Sequence, residues 1–464
     1  MDREKEPFKE RHEFAGTIQA QGRSVEGVIF DIDYSRIRDG SIGGSLYGSV
    51  DVLGRLQGLE SADNLFVRST DHRSSISSKT AYLRTLLSYP MSPTRPIGVI
   101  RFENLEVATT LPDDVETERR AIFFLAGSRR VWPATDWTQA SSKGYLKMDV
   151  EHSEIAVGGE SKLAITVQPR LEFQSPRPSS LEPSQFVTVY TMEFRDKEGS
   201  ERLTSEEFLA YAIQAADDLT WVASLLSTHR TTWFAYDFIR ERSSTYFVRS
   251  VPECSSTAPS WSFHLVHDDG GEALCVGFGE LRRLRKSGID LQLPIVNYIA
   301  GNEAKFVEQK FSSYFLALES MKDMYLDSRG MGPIIRESDF KSLRDAVAVL
   351  IDKSVTDPKA KSEMMKKVTE LNRPPLRTSL EEMASETKVK WTDLYPENAE
   401  FSLLNTRNQL FHTAKKFDID HLARETERTR ILVERLLLGF LGLTDLSRPL
   451  DVGLLDFLRE RPRS

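Results

Sequence analysis

The chain has 464 residues, of which 40% are apolar and 28% charged, and its formal net charge is −8. Such a length and composition suit a soluble globular protein of two to four domains. An acidic balance excludes a global basic field that would draw in nucleic acid, so any RNA site must be a local patch.

The first residues, MDREKEPFKERHEF, are charged throughout and lack a secretory apolar region. From 12 to 60, short apolar or alternating pieces such as EFAGTIQAQG and SVEGVIFDID are broken by Gly16, Gly22, Gly27, Gly43, Gly44, Gly48, Gly54 and Gly58. This predicts antiparallel strands, with the glycines supplying positive-φ turns. No glycine pattern forms a nucleotide-binding loop. Asp31 and Asp33 in DIDYS have no second acidic cluster to complete a metal site. Strand signals continue through NLFVRS, PIGVIRFENLEVAT, RAIFFLAG, KGYLKMDVEHSEIAVGG and KLAITVQPRLEFQSP. They end on FVTVYTMEF, rich in β-branched and aromatic residues.

At Ser205 the period changes. Phe208, Leu209, Ala212, Ile213, Ala216, Leu219, Val222 and Leu226 make a helical stripe, capped by Thr204 or Ser205. Strand-like text returns at TTWFAYDFIRE, STYFVRS, SWSFHLV and EALCVGFG. His264 and His267, three apart in a strand, would face opposite sides, so they and His229 read as structural histidines. Cys254 and Cys275 make no disulfide framework and fit no structural zinc spacing. No cofactor or metal is expected.

From about 290 the signal is helical to the end. Helices are expected at 304–325, 338–351, 357–371, from a capping box at Ser379 and Glu382 to about Trp391, from about Ala399, and at 420–441. Arg424, Glu425, Glu427, Arg428 and Arg430 read as the solvent face of the last helix. The apolar run Leu436–Leu443 contains two glycines and is too short to cross a bilayer. The fold class is therefore α+β multidomain: a β-rich N-terminal region, then a C-terminal all-α bundle. The expected divisions are 1–200, a mixed α/β piece at 201–295, and a helical domain at 296–464. A cytoplasmic location is expected.

The stretch Asn405–Phe417, NTRNQLFHTAKKF, carries the candidate chemistry. On a helix, Asn408 and His412 share a face and Arg407 lies beside them. Cleavage of RNA by its own 2′-hydroxyl needs a base, an acid and a cation, and no metal. His412 titrates near neutrality, Arg407 offers a planar fork to phosphate, and Asn408 orients either of them. Lys415 and Lys416 are candidate RNA contacts. One histidine leaves one proton transfer unassigned, which a second copy across a dimer interface would supply. The competing account is an arginine paired with a bundle carboxylate and a histidine at a helix end.

R-N-x-x-x-H at Arg407, Asn408 and His412, with KKFD after it and the terminal helix LARETERTRILVERLLLGFLGL, resembles the HEPN superfamily. The order of a β-rich region and then a bundle resembles the ApeA-like HEPN proteins of bacterial anti-phage defence. The resemblance implies a metal-independent ribonuclease, dimeric or higher through its HEPN domain. It implies an RNA substrate, with transfer RNA as a candidate, and a phage-derived trigger acting on the N-terminal region. The alternative is a non-catalytic HEPN dimerisation module carrying a β-rich domain that binds protein or RNA.

Overall fold

A computed structural model describes residues 11–33, 42–57, 59, 61–85, 97–111, 118–126, 137–140, 147–150, 155–157, 163–174, 185–197, 203–249, 265, 270–330, 334–372, 374–395, 402–412, 418–446 and 452–459. By its internal contacts the chain divides into two units, the second starting in the main at Val276.

The first unit opens with β1 (Arg11–Ala20), β2 (Arg23–Asp33), β3 (Ile42–Tyr47) and α1 (Val50–Leu56). There follow β4 (Ser61–Ser69), β5 (Ser74–Thr85), β6 (Gly98–Phe102), β7 (Asn104–Thr110) and β8 (Arg120–Ala126). β9 (Trp137–Ala140) and β10 (Lys147–Val150) form a separate ribbon. β11 (Ile155–Ala156), β12 (Leu163–Gln174), β13 (Gln185–Asp196), α2 (Ser205–Ser227), β14 (Thr232–Arg240) and β15 (Ser243–Arg249) complete it.

Strands β1, β2, β3, β6, β5 and β4 hydrogen-bond in that order, and β4 returns to β1, so they close a barrel. One edge of β5 is shared. Its Ser74–Ser77 half pairs with β7 and its Ala81–Thr85 half with β6. The sheet thereby leaves the barrel and continues through β7, β15, β14, β8, β13, β12 and β11. At the fork, Ser78 Oγ donates to Asn104 O at 2.6 Å and to Thr80 O at 2.9 Å. Alternation sets the inside: Phe14, Ile18, Val28, Phe30, Ile32, Val67, Ile100 and Phe102 are buried in one core. The capping box on α2 is present, with Thr204 and Glu207 bonded reciprocally.

Five of the glycines, Gly16, Gly43, Gly44, Gly48 and Gly54, lack the expected positive φ. Gly22 and Gly27 do take positive φ. Gly16 and Gly44 allow close approach instead. A Cβ on Gly16 would sit 2.2 Å from Arg68 O, and one on Gly44 would sit 2.8 Å from Asp31 O.

α3 (Gly270–Lys286) leads into α4 (Gln292–Glu303), α5 (Val307–Arg329), α6 (Glu337–Ser354), α7 (Pro358–Glu370), α8 (Leu376–Glu386), α9 (Ser402–His412), α10 (Ile419–Phe440) and α11 (Val452–Arg459). EALCVGFG belongs to α3, where a strand was expected. Eight residues hide the period, whereas the full helix buries Leu274, Phe278, Leu281 and Leu284 at helical spacing. Ser379 lies inside α8, fully buried, and donates back to Pro375 O. It is not a cap, because Pro374 and Pro375 start the helix earlier. α10 contacts α5, α4, α8 and α9, and so forms the axis of the bundle.

Candidate functional site

α9 is held by its buried positions, Leu403 and Thr406. Thr406 Oγ1 lies 3.2 Å from His421 Nε2, which fastens α9 to the first turn of α10. That turn is capped by Asp418, whose carboxylate accepts from the backbone N–H groups of Asp420 and His421. The next residue after Thr406 is therefore turned partly outward. Arg407 Nη1 donates to Asn408 Oδ1 at 3.1 Å, and Asn408 is exposed. The guanidinium carbon lies 5.8 Å from the ring centroids of both Phe315, on α5, and Phe411. Phe315 is buried, whereas Phe411 is 52% exposed.

The structure thus brings Arg407 and Asn408 together and adds two aromatic rings. His412 is the last residue of α9, one turn beyond Asn408; its side chain lies outside the described residues. Lys415 and Lys416 lie outside them as well. His229 is a satisfied structural histidine: Nδ1 is 2.8 Å from Ser227 O and 3.2 Å from Thr228 Oγ1. His264 and His267 are outside the described residues.

The charged face assigned to solvent on α10 is largely inside the bundle. Glu425 is fully buried, and Arg424 and Glu434 nearly so. Arg430 bonds Glu427 at 2.8 Å and also pairs with Glu434, which accepts from the Tyr298 hydroxyl at 2.7 Å. Burial raises the Tyr298 hydroxyl well above the ordinary tyrosine range, and the charge of Glu434 adds to this. Glu425 pairs with Arg428 and accepts from Tyr395 at 3.4 Å. Burial likewise lifts Tyr395, with Glu425 contributing. Arg435 grips Asp393 with two bonds, at 2.7 and 2.9 Å. Burial works to raise the Asp393 carboxyl, but the bonds and charge of Arg435 prevail and lower it.

Arg424 was placed on the solvent face but is buried, and His421 was not singled out by the sequence. Arg424 is three residues after His421 on the same helix, and its Nη2 atom is buried with no hydrogen-bond partner among the described residues. A text of alternating Arg and Glu predicts solvated pairs, and nothing in that pattern shows that neighbouring helices cover it. The tyrosines that receive the charges, Tyr298 and Tyr395, are far away in sequence.

Chemically, the surface of α9 offers a fixed cation, an amide and an exposed ring, a set suited to a phosphate carrying a planar base. Among the described residues no group of three or more His, Cys, Asp or Glu is placed to hold a metal ion. No helix among them is long and apolar enough to cross a membrane. The fold defines an α+β chain, a β-barrel domain with an extended sheet followed by a helical bundle. No family model, curated protein or solved structure matches the chain.

Proposed function

We propose that the bundle is a metal-independent endoribonuclease of the HEPN type, in a cytoplasmic effector of ApeA-like, anti-phage design. The observation that carries this is the joined Arg407–Asn408 pair on the surface of α9, one helical turn ahead of His412. His412 of one copy takes the proton of a ribose 2′-hydroxyl. The 2′-oxygen bonds to phosphorus, the bond from phosphorus to the 5′-oxygen breaks, and the leaving oxygen takes a proton from the same residue of a second copy. Arg407 stabilises charge on the phosphoryl oxygens, and Asn408 holds Arg407 in place. The ends left are a 2′,3′-cyclic phosphate and a 5′-hydroxyl. Single-stranded or loop RNA reaches the in-line geometry this needs, and a regular duplex does not, so transfer RNA loops are candidate targets. Lys415 and Lys416 contact the RNA backbone. Residues 1–200 sense a phage-derived trigger or restrain the nuclease at 296–464.

The test is incubation of the purified chain with bulk RNA in EDTA, with and without extract from infected cells. Cleavage that leaves cyclic phosphate ends and falls by about 10²–10⁴-fold in His412→Ala supports the assignment. Cleavage unchanged in that variant overturns the chemistry.

A further inference from the structure

Helices α6 and α7 form an antiparallel hairpin, and each is the other's main helical neighbour. Its base is closed by a buried residue, Asn372. Asn372 O accepts from Ile334 N at 2.8 Å, its Oδ1 accepts from Ile335 N at 2.9 Å, and its Nδ2 donates to Ile335 O at 3.0 Å. Beyond this neck little is buried. Among described residues α6 buries only Phe340 and Ile351, and α7 only Val368.

Most of the apolar residues left outside follow one pattern, from which Val349, 53% exposed, is turned away by at least about 100°. At about 100° per residue, Leu343, Val347 and Leu350 lie within roughly 60° of one another on α6, and Met364 and Leu371 coincide on α7. Leu343 is 48% exposed, Leu350 62%, Met364 44% and Leu371 65%. On each helix this stripe is rotated in the same sense from the side that buries Phe340 and Ile351, or Val368. In an antiparallel pair, equal rotations bring both stripes to one face of the hairpin. A two-helix hairpin cannot bury such a face by itself.

The charges beside the stripes identify what covers it. On the outer edge of α6 stand Asp339 and Lys353; on that of α7 stand Glu363 and Lys367. Residue 346 is the midpoint of the first pair and residue 365 that of the second, ten and nine residues from Thr356 in the turn. Both pairs are therefore centred at nearly the same height on the hairpin. A two-fold axis through that height, across the helices, sets Asp339 of one copy against Lys353 of the other, and Glu363 against Lys367. The same axis sets Leu343 against Leu350. Glu363 already meets Lys366 at 3.1 Å in an exposed pair on its own helix, which the second lysine joins. Asp339, Lys353, Glu363 and Lys367 thus each meet an opposite charge in the two-fold copy, and in these charges the face is self-complementary.

We infer that the α6–α7 hairpin docks face to face on the hairpin of a second copy of this chain, forming an antiparallel four-helix bundle. This surface is separate from Arg407 and does not depend on RNA cleavage.

Sedimentation of the full-length chain from 1 to about 100 µM, a range spanning ordinary self-association, tests it. The Leu343→Glu/Leu350→Glu variant is expected to halve the mass of the assembly. Asp339→Lys alone weakens association by about 2–30-fold, since two exposed pairs per dimer are lost. Asp339→Lys/Lys353→Asp, which exchanges the charges while keeping their match, recovers it. Both charge positions are exposed, so these variants keep the fold, and far-ultraviolet circular dichroism checks that they do. An assembly of the same mass in the double-glutamate variant overturns the inference. So does a charge exchange that recovers nothing, or a wild-type chain monomeric at the highest concentration.

Discussion

Glu425 is the side chain on which the bundle's interior electrostatics turn. It is fully buried and satisfied by Arg428 and Tyr395, so Glu425→Ala strands a cation and should cost about 3–5 kcal/mol. Urea denaturation measures this. Arg424 is the opposite case: its buried guanidinium has an atom with no hydrogen-bond partner among the described residues, so Arg424→Met is expected to leave the unfolding midpoint unchanged or raise it. A large loss of stability there would show that Arg424 is paired. Asp393 supplies a pH dependence. Its folded pKa is depressed below the unfolded value, so its stabilisation is present above about pH 4 and is lost as pH falls through the lower, folded value. Arg435→Met should therefore flatten the acid limb of a stability-against-pH curve between the two values. Destabilisation confined to alkaline pH would contradict the sign.

Among the elements, the barrel seam and the α4–α5 pair are among the places where a single methyl group decides the outcome. A Cβ on Gly301 would sit 2.3 Å from the ring of the buried Tyr314, whose hydroxyl donates to Asn302. Neither partner has room to move, so Gly301→Ala should cost about 1–3 kcal/mol, read as a lower midpoint in thermal melts. An unchanged midpoint would mean that the two helices separate easily. Much at this scale was legible. Period-2 text over 12–174 and period-3.6 text from 290 named most strands and helices because burial on one face imposes those periods, but α1 (Val50–Leu56) lies in a stretch read as strand. α3 was misread because the eight residues EALCVGFG, taken alone, are too few to display a helical period. The α10 charges were misplaced because residue type encodes ionisation but not whether another helix lies over it.

For the whole molecule, a net charge of −8 makes the proposed RNA site a local basic patch on an acidic chain. Binding of single-stranded RNA by the His412→Ala variant should weaken with salt, and each phosphate contact adds about 0.7 to the slope of log affinity against log salt. Replacing Lys415 and Lys416 with alanine should reduce that slope by about 1.4 per protomer if both touch phosphate. Fluorescence anisotropy at several salt concentrations checks this, and an unchanged slope removes both lysines from the site.

By itself the sequence determined the class of each half, the candidate residues Arg407, Asn408 and His412, and the cap that starts α2. These depend on neighbours within a few positions, where spacing and side-chain chemistry suffice. Tertiary structure alone decided the closure of β4 on β1, the fork of β5 between β6 and β7, the hydrogen bond from α9 to His421, and the burial of charge along α10. Each brings together residues separated by a turn of unspecified path or by many elements. Chain order does not encode such proximity; mutual burial of apolar faces does.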